Sequence, residues 1–170
     1  MASLPRVCEE RHVLFKELTE YLDSSRVTYE IKQHPAAFSA QEVAEKAHIS
    51  GHRVAKTVAV RLDGELGLCI LPATELINFN ILSLVAGCKA AELASEEDIK
   101  ACCFQYQQDS LSAFGNLYGL SVFLSESLKG YRSLAFSSGV ASQLIVLSWY
   151  DFNKLVHPVI LGNDLREAIG

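Results

Sequence analysis

The sequence lacks the features of a membrane-spanning or exported protein. No stretch approaches the roughly 20 uninterrupted apolar residues that a membrane span requires. The N-terminus also lacks the basic-then-apolar layout of a signal peptide, because Glu9, Glu10 and Arg11 follow closely behind Pro5. We therefore expect a soluble protein that stays in the cytoplasm.

Signs of disulfide or metal stabilisation are equally sparse. The five cysteines form an odd set without a CxxC pair, and the adjacent Cys102 and Cys103 have poor geometry for either a bridge or a metal site. His48 and His52 lie four residues apart, but Gly51 interrupts a shared helical face and no third ligand has a suitable spacing. We expect reduced thiols, no metal and no other cofactor.

Basic residues are too few overall for a protein that wraps duplex DNA. The net charge is -5, whereas affinity for duplex nucleic acid comes mainly from Lys and Arg on phosphates. One stretch differs, because residues 26–61 hold six Lys or Arg against three Glu. The sequence thus predicts one locally basic region.

What is present is an ordinary globular composition, with 49% apolar and 21% charged residues in 170. This composition predicts one domain over residues 1–170, in which a helix at about 8–23 packs on a core spanning 27–158. Alternating apolar patterns predict strands at 27–32, 53–62, 66–71, 88–92, 120–124, 134–136 and 143–147. Helical patterns predict further helices at 39–48, 73–85, from Ser95 onward and at 150–156. The fold class is therefore a mixed α/β domain.

Two local signals are especially informative about structure. Asp63-Gly64, between two alternating stretches, predicts a two-residue β-hairpin turn. Ser39 followed three residues later by Glu42 is typical of a capping box and predicts a helix start. The helix start lies within the basic region, and the hairpin turn follows its end.

Lys56 is the most unusual residue in the predicted strands. Side chains alternate along a strand, so Lys56 shares its face with Val54, Val58 and Val60. A desolvated lysine is unfavourable, so it must reach water, pair with a carboxylate or line a cavity that receives an anion. The strand pattern leaves all three alternatives open.

Small and polar residues before two later strands are further candidates for a site. Gly115 and Gly119 flank Asn116, and glycines there permit either a plain turn or close backbone approach to a ligand. The run Ser137 to Gly139 could line the same cavity or form a hairpin bend. No GxSxG elbow or P-loop is present, so neither acyl-serine chemistry nor nucleoside triphosphate hydrolysis is indicated.

An ordered series of sequence blocks lies between His34 and Leu120. The blocks, in chain order, are His34-Pro35, Phe38 to Ala44, Gly51 to Val58, Asp63-Gly64, Leu71-Pro72-Ala73 and Phe114 to Leu120. Together they resemble the YbaK/prolyl-tRNA synthetase editing-domain family, most closely its free-standing, YeaK-like members. The resemblance extends from about His34 to Pro158. It implies a compact, mixed and partly barrel-like sheet surrounded by helices.

The resemblance also implies a function, the metal-independent hydrolysis of the ester that joins a wrong amino acid to the 3′ end of a tRNA. Lys56 matches the family lysine that binds near the terminal adenosine and its phosphates. Gly115 belongs to the loop that positions the scissile carbonyl, and Asn116 would border the ester. The remaining residues that the resemblance assigns to substrate binding are His34, Phe38, Ser138, Gly139 and Ser142.

The sequence departs from the family pattern in the loop and the pocket. Asp109 stands at the first glycine of the family's GxxPPFG loop, and Ser112 and Ala113 stand at its two prolines. Ala141 stands where close relatives carry a histidine. These changes imply either a different substrate or a reduced activity.

Three hypotheses follow from the sequence. The leading one is a trans-editing aminoacyl-tRNA deacylase whose partner is the acceptor end of a charged tRNA. The second is a non-catalytic module of the same fold that binds a tRNA end, a nucleotide-like ligand or a protein. In the third, an oligomerising scaffold, Lys56 only pairs with a carboxylate.

Overall fold

The computed structural model describes residues 7–37, 39–102 and 111–162. Within them the chain forms five α-helices and eight strands. The helices are α1 (Val7–Ser24), α2 (Ala40–Lys46), α3 (Phe79–Ala86), α4 (Glu96–Cys102) and α5 (Trp149–Val156). The strands are β1 (Glu30–Gln33), β2 (Val54–Leu62), β3 (Glu65–Pro72), β4 (Ala91–Leu93), β5 (Ser121–Ser125), β6 (Leu134–Ser137), β7 (Gln143–Leu147) and β8 (Val159–Leu161). Short 3₁₀ turns occupy Gly115–Tyr118 and Glu126–Leu128.

All eight strands join one mixed sheet, which confirms the predicted fold class. The strand order is β1-β7-β6-β2-β3-β5-β8, and β4 pairs separately with β2. The β2–β6, β3–β5 and β5–β8 pairs are parallel, and the other pairs are antiparallel. Within the described residues, no helix combines the length and apolar character needed to cross a membrane.

The β2–β3 hairpin forms where the sequence predicts it. Asp63 and Gly64 both have positive φ, 49° and 88°, as a two-residue turn that follows the strand twist requires. The Asp63 carboxylate also accepts hydrogen bonds from the backbone N–H groups of Lys89 (3.0 Å) and Ala90 (2.9 Å). The turn residue therefore also fixes the chain that leads into β4.

The helix predicted over 73–85 is shorter than expected and begins at Phe79. The chain leaves β3 through a turn in which the Glu75 N–H donates to Pro72 O at 3.0 Å. Asn78 then caps α3, because its side chain accepts hydrogen bonds from the N–H groups of Asn80 and Ile81. The turn keeps Glu75 near the end of β3 instead of placing it within a helix.

The main core lies between the sheet and the helices α1 and α5. Phe114, Phe136 and Phe152 are fully buried, and the rings of Phe136 and Phe152 stack with centroids 4.1 Å apart. Phe114 meets Phe152 edge-on at 5.3 Å. From α1, Leu18 and Leu22 are buried in the same cluster. The first helix thus contributes to the core; the domain limits themselves remain a prediction from the sequence.

Replacing Phe152 with Ala should lower the free energy of unfolding by about 3–5 kcal/mol, since it removes a buried ring that stacks on Phe136 and meets Phe114 edge-on. Tyr150→Ala on the same helix is the matched control, because Tyr150 is 69% exposed; its effect should stay within about 0.5 kcal/mol. Urea unfolding of both variants measures the difference. Similar losses in the two variants would contradict the proposed core.

Candidate active site

The central strand β2 is paired continuously on one edge and interrupted on the other. On one edge β3 pairs with it from Ala55 to Leu62. On the other edge, β6 pairs only with Val54 and Ala55, and β4 pairs only with Val60 to Leu62. Residues 56–59 lie between these two partners. The sheet therefore has a gap beside the segment that contains Lys56.

A cavity of about 570 Å³ lies at this gap. That volume falls within the range of roughly 300–1,000 Å³ that is usual for small-molecule sites. The apolar lining residues are Ala36, Ala37, Ala40, Val43, Val54, Ala55, Val58, Ala59, Leu93, Ala94, Ile99, Leu111, Val140, Ala141 and Leu144. The polar ones are His34, Ser39, Lys56, Thr57, Ser137, Ser142 and Gln143. No acidic side chain lines the cavity among the described residues.

Lys56 lines this cavity, one of the three alternatives left open by the strand pattern. Burial lowers the pKa of its ammonium group, while the nearby Glu75 carboxylate and Cys69 oppose the shift. Within the described residues, Lys56 has no carboxylate partner within 4 Å. It is a partly desolvated cation at a cavity wall, which suits the binding of an anion.

Neither Cys69 nor Glu75, the two groups that oppose the pKa shift of Lys56, forms an ion pair with it. Burial raises the pKa of the Cys69 thiol to about 12, so it is a neutral side chain at physiological pH. The Ser125 hydroxyl donates to Glu75 Oε2 at 3.1 Å, which fixes the carboxylate at the end of β3. Glu75 therefore acts on Lys56 through its field and not through a close ion pair.

Two of the six cations of the predicted basic region form ion pairs in the folded chain. The Lys46 ammonium pairs with Glu42 at 2.9 Å. Arg61 pairs with Asp98 at 3.1 Å. Among the described cavity-lining residues, Lys56 is the one Lys or Arg. The positive charge available to a ligand is therefore local and does not form a broad patch.

His34 and Ser142 also line the cavity and are joined through their backbones. The His34 N–H donates to Ser142 O at 2.9 Å, and Ser142 has a positive φ of 65°. The His34 ring contacts the Pro35 carbonyl through Nδ1 at 2.9 Å. Since a carbonyl can only accept, the ring donates through Nδ1 in this contact.

Two other predicted residues, Ser138 and Gly139, lie in the β6–β7 turn and do not line the cavity. The Ser138 hydroxyl donates to Gln143 O at 3.1 Å and accepts from the Val140 N–H at 3.1 Å. Gly139 has a φ of 85°, which the turn requires. Both residues shape the turn that carries Val140, Ala141 and Ser142. Phe38 lies outside the described residues.

Gly115 and Asn116 also lie away from the cavity lining. A Cβ on Gly115 would come within 2.7 Å of the side chains of both Leu68 and Val122. The Asn116 amide donates to Tyr21 Oη at 3.2 Å and to Leu155 O at 3.4 Å, which links α1 to α5. Both residues thus have packing roles in the structure, and their assignment to the ester remains a prediction.

The segment just before Gly115 does approach the site. Leu111 lines the cavity, and the Ala113 N–H donates to Ser137 O at 3.2 Å, next to the same lining. Ser112 is 3% exposed, and its hydroxyl accepts from the Phe114 N–H. Asp109 lies outside the described residues, so its predicted effect on the loop stays a prediction.

One lining residue that the sequence analysis did not select is Thr57. Its hydroxyl oxygen is buried and has no hydrogen-bond partner among the described residues. The available signal was the pattern Ala55-x-Thr57-x-Ala59, a single hydroxyl between two small residues on one strand face. Ala141 also lines the cavity, so the position predicted to lack a polar group is indeed part of its wall.

One protein family matches most of this chain. The family model described as the aminoacyl-tRNA editing domain matches residues 34–155, more than half of the chain. The match begins at His34 and ends within α5, and it includes the interrupted strand β2. No curated protein gives a significant match.

Several solved structures share the fold. A hypothetical protein designated APE2540 has a TM-score of 0.75 at 16% identity, over 85% of this chain and 96% of that chain. A candidate trans-editing enzyme for prolyl-tRNA synthetase has a TM-score of 0.74 at 14% identity, over 93% and 96%. A candidate signal-transduction protein from Marinobacter aquaeolei VT8 has a TM-score of 0.65 at 13% identity, over 95% of this chain and 30% of that chain. At these identities the likeness shows the fold alone.

Gly115→Ala should lower the free energy of unfolding by roughly 1–3 kcal/mol, because the added methyl group overpacks Leu68 and Val122. Gly67→Ala is the matched control, since its nearest new contact would be an ordinary 3.4 Å. Urea unfolding compares the two variants. A Gly115→Ala protein as stable as wild type would remove the packing explanation and favour the predicted role at the ester.

Proposed function

The chain belongs to the aminoacyl-tRNA editing domain family, and we propose that it is a trans-editing deacylase that hydrolyses the ester of mischarged tRNA. The observation that carries this proposal is the cavity at the gap beside β2, with Lys56 in its wall. A ligand with an anionic end and a small apolar part complements a lining of this kind. The 3′ end of an aminoacyl-tRNA has both.

In this proposal Lys56 binds the phosphate or adenosine of the acceptor end. The net charge of -5 and the internal pairing of Lys46 and Arg61 disfavour a large electrostatic contact with duplex RNA. A contact limited to the single-stranded end needs few cations. The partly desolvated ammonium of Lys56 gives such a contact more strength than an exposed lysine would.

The proposed reaction adds water to the ester carbonyl and breaks the bond between that carbon and the ribose oxygen. One proton of the water goes to the leaving ribose oxygen and the other is released to solvent, so the amino acid leaves as a carboxylate. The adjacent ribose hydroxyl assists the water, so the protein contributes orientation and stabilisation of the oxyanion. His34 lies in the cavity wall, and we assign it to substrate positioning. The reaction as proposed uses no metal.

A second candidate function is binding without catalysis. Two observations favour it: the Asn116 amide is engaged between α1 and α5, and the Ser138 hydroxyl is engaged in its own turn. Ala141 gives the wall a methyl group in place of a polar side chain. Lys56 would then bind the same acceptor end, and turnover would be absent.

A panel of mischarged tRNAs decides between these two functions. We expect ester release from at least one mischarged tRNA at an enzymatic rate, in the presence of EDTA, because the proposed reaction relies on positioned groups and water. The measurement is the loss of labelled amino acid from each tRNA against a no-protein control. Folded protein without turnover on the whole panel would overturn the deacylase and leave the binding module. Turnover abolished by EDTA would overturn metal independence alone.

Lys56→Met should separate a ligand-binding lysine from a structural one. The pKa of Lys56 is lowered in the folded state, so its cation costs stability at neutral pH; the cost begins to fall as the pH passes the lowered pKa and is gone above the ordinary value of 10.5. Methionine removes the cation. We therefore expect kcat/KM to fall about 100-fold, while the thermal unfolding midpoint at pH 7 stays equal or rises.

The exposed Lys129→Met is the matched control and should change neither quantity. A Lys56→Met protein that unfolds well below wild type would instead indicate a stabilising interaction with Glu75. That result would favour the scaffold hypothesis, in which Lys56 only pairs with a carboxylate.

A further inference from the structure

The backbone of β2 exposes hydrogen-bonding groups at the gap. Ala73 N–H donates to Val54 O at 2.8 Å, so the even-numbered residues of β2 direct their backbone groups toward β3. Arg53 O accepts from Ala135 at 2.9 Å, and Ala59 O accepts from Ala94 at 3.0 Å, so the odd-numbered residues face the opposite edge.

Thr57 is the odd-numbered residue midway along this edge. Ala55 pairs with β6, and the Ala59 carbonyl is bound by the chain after β4, but neither strand's register includes Thr57. Because backbone groups alternate in direction along the ladder, the Thr57 N–H and C=O point into the gap. Both groups are therefore presented to the cavity.

The Thr57 side chain adds a third polar group at the same place. Its hydroxyl oxygen is buried without a partner among the described residues, although buried polar atoms are normally hydrogen-bonded. Two of the three other hydroxyls in the lining are engaged: Ser39 accepts from the Glu42 N–H, and Ser137 accepts from the Gly139 N–H. Thr57 therefore differs from its neighbours on β2 in two ways: its backbone groups point into the gap, and its side-chain hydroxyl has no partner among the described residues.

The cavity lining restricts how an ammonium group could be held there. No carboxylate lines it among the described residues, and Lys56 would repel a cation placed close to its own ammonium. Uncharged groups are the remaining acceptors. Thr57 offers two, its carbonyl and its hydroxyl, beside the small side chains of Ala55 and Ala59, which leave room for a ligand.

We propose that Thr57 orients the aminoacyl group by accepting hydrogen bonds from its α-ammonium group through the carbonyl oxygen and, once the side chain rotates to turn its buried hydroxyl toward the cavity, through the hydroxyl oxygen. This proposal rests on the deacylase function, since it concerns how the same cavity holds the substrate. The acceptor end and the α-ammonium group are then held by adjacent residues, Lys56 and Thr57. The ester carbonyl lies between the two anchors.

The test compares two amide-linked, non-hydrolysable probes that differ only in the α-amino group. These are 3′-deoxy-3′-(L-alanylamino)adenosine 5′-phosphate and its 3′-propionylamino counterpart. The alanyl probe is chosen because its single methyl group is small enough for a pocket of any amino-acid specificity. Calorimetry gives the affinity of each probe for wild type, Thr57→Val, Thr57→Ser and the control Thr28→Val, whose threonine is exposed and outside the cavity lining.

We expect wild type to prefer the alanyl probe, and Thr57→Val to reduce that preference about tenfold without weakening the propionyl probe. Thr57→Ser and Thr28→Val should retain the wild-type preference. The thermal unfolding midpoint of Thr57→Val should equal or exceed that of wild type, because valine fills the same volume without a buried hydroxyl.

Three results would overturn the proposal: no preference in wild type, an unchanged preference in Thr57→Val, or equal weakening of both probes. If any of these results is found while the mischarged-tRNA panel shows hydrolysis, the deacylase function stands and only the role of Thr57 is overturned. Absence of hydrolysis together with the expected probe preferences removes the deacylase and retains Thr57 as the anchor of a binding module.

Discussion

The one-sided pairing of β2 is the constraint on which the site depends. The strand is held along one edge by β3 from Ala55 to Leu62, so its backbone remains fixed where the other edge is open. The opening exists because β6 leaves β2 after Ala55 and β4 joins it only at Val60. A cavity formed in this way has a rigid wall of hydrogen-bonded strand, which favours orientation of a substrate without movement of the protein.

The electrostatics of the site follow from the same arrangement. Partial burial at the gap lowers the pKa of Lys56, and Glu75, which is bound by Ser125, lies close enough to moderate this shift without forming an ion pair. Burial also keeps Cys69 neutral. A lysine that is neither fully hydrated nor neutralised keeps its capacity to bind an anion, at some cost in folding stability. Such a balance is more typical of a ligand site than of a structural charge.

Local patterns were enough to predict the mixed α/β fold, the Asp63-Gly64 hairpin, the cap at Ser39 and the unusual setting of Lys56. Each depends on residues within a few positions of one another. A cavity at Lys56 was implied by the family resemblance alone; local patterns could not predict its walls, because these depend on distant pairings such as Val54 with Ala135 and Val60 with Leu93. Local patterns also could not predict the directions in which loop side chains point. Asn116 is polar and follows a glycine, yet its amide bonds to α1 and α5 and not to the cavity.

Adjacent residues of a fully paired strand serve opposite faces of a sheet, so they rarely contribute to one site. At the open edge of β2 this restriction is relaxed, since the backbone between Lys56 and Thr57 itself borders the cavity. A cation from one face and neutral oxygens from the other face and the edge can then act on a single ligand. The two groups have complementary preferences, an anion for Lys56 and a hydrogen-bond donor for Thr57. A ligand with an anionic end and an ammonium end would therefore bind in one orientation, with the bond between these ends held against the rigid strand.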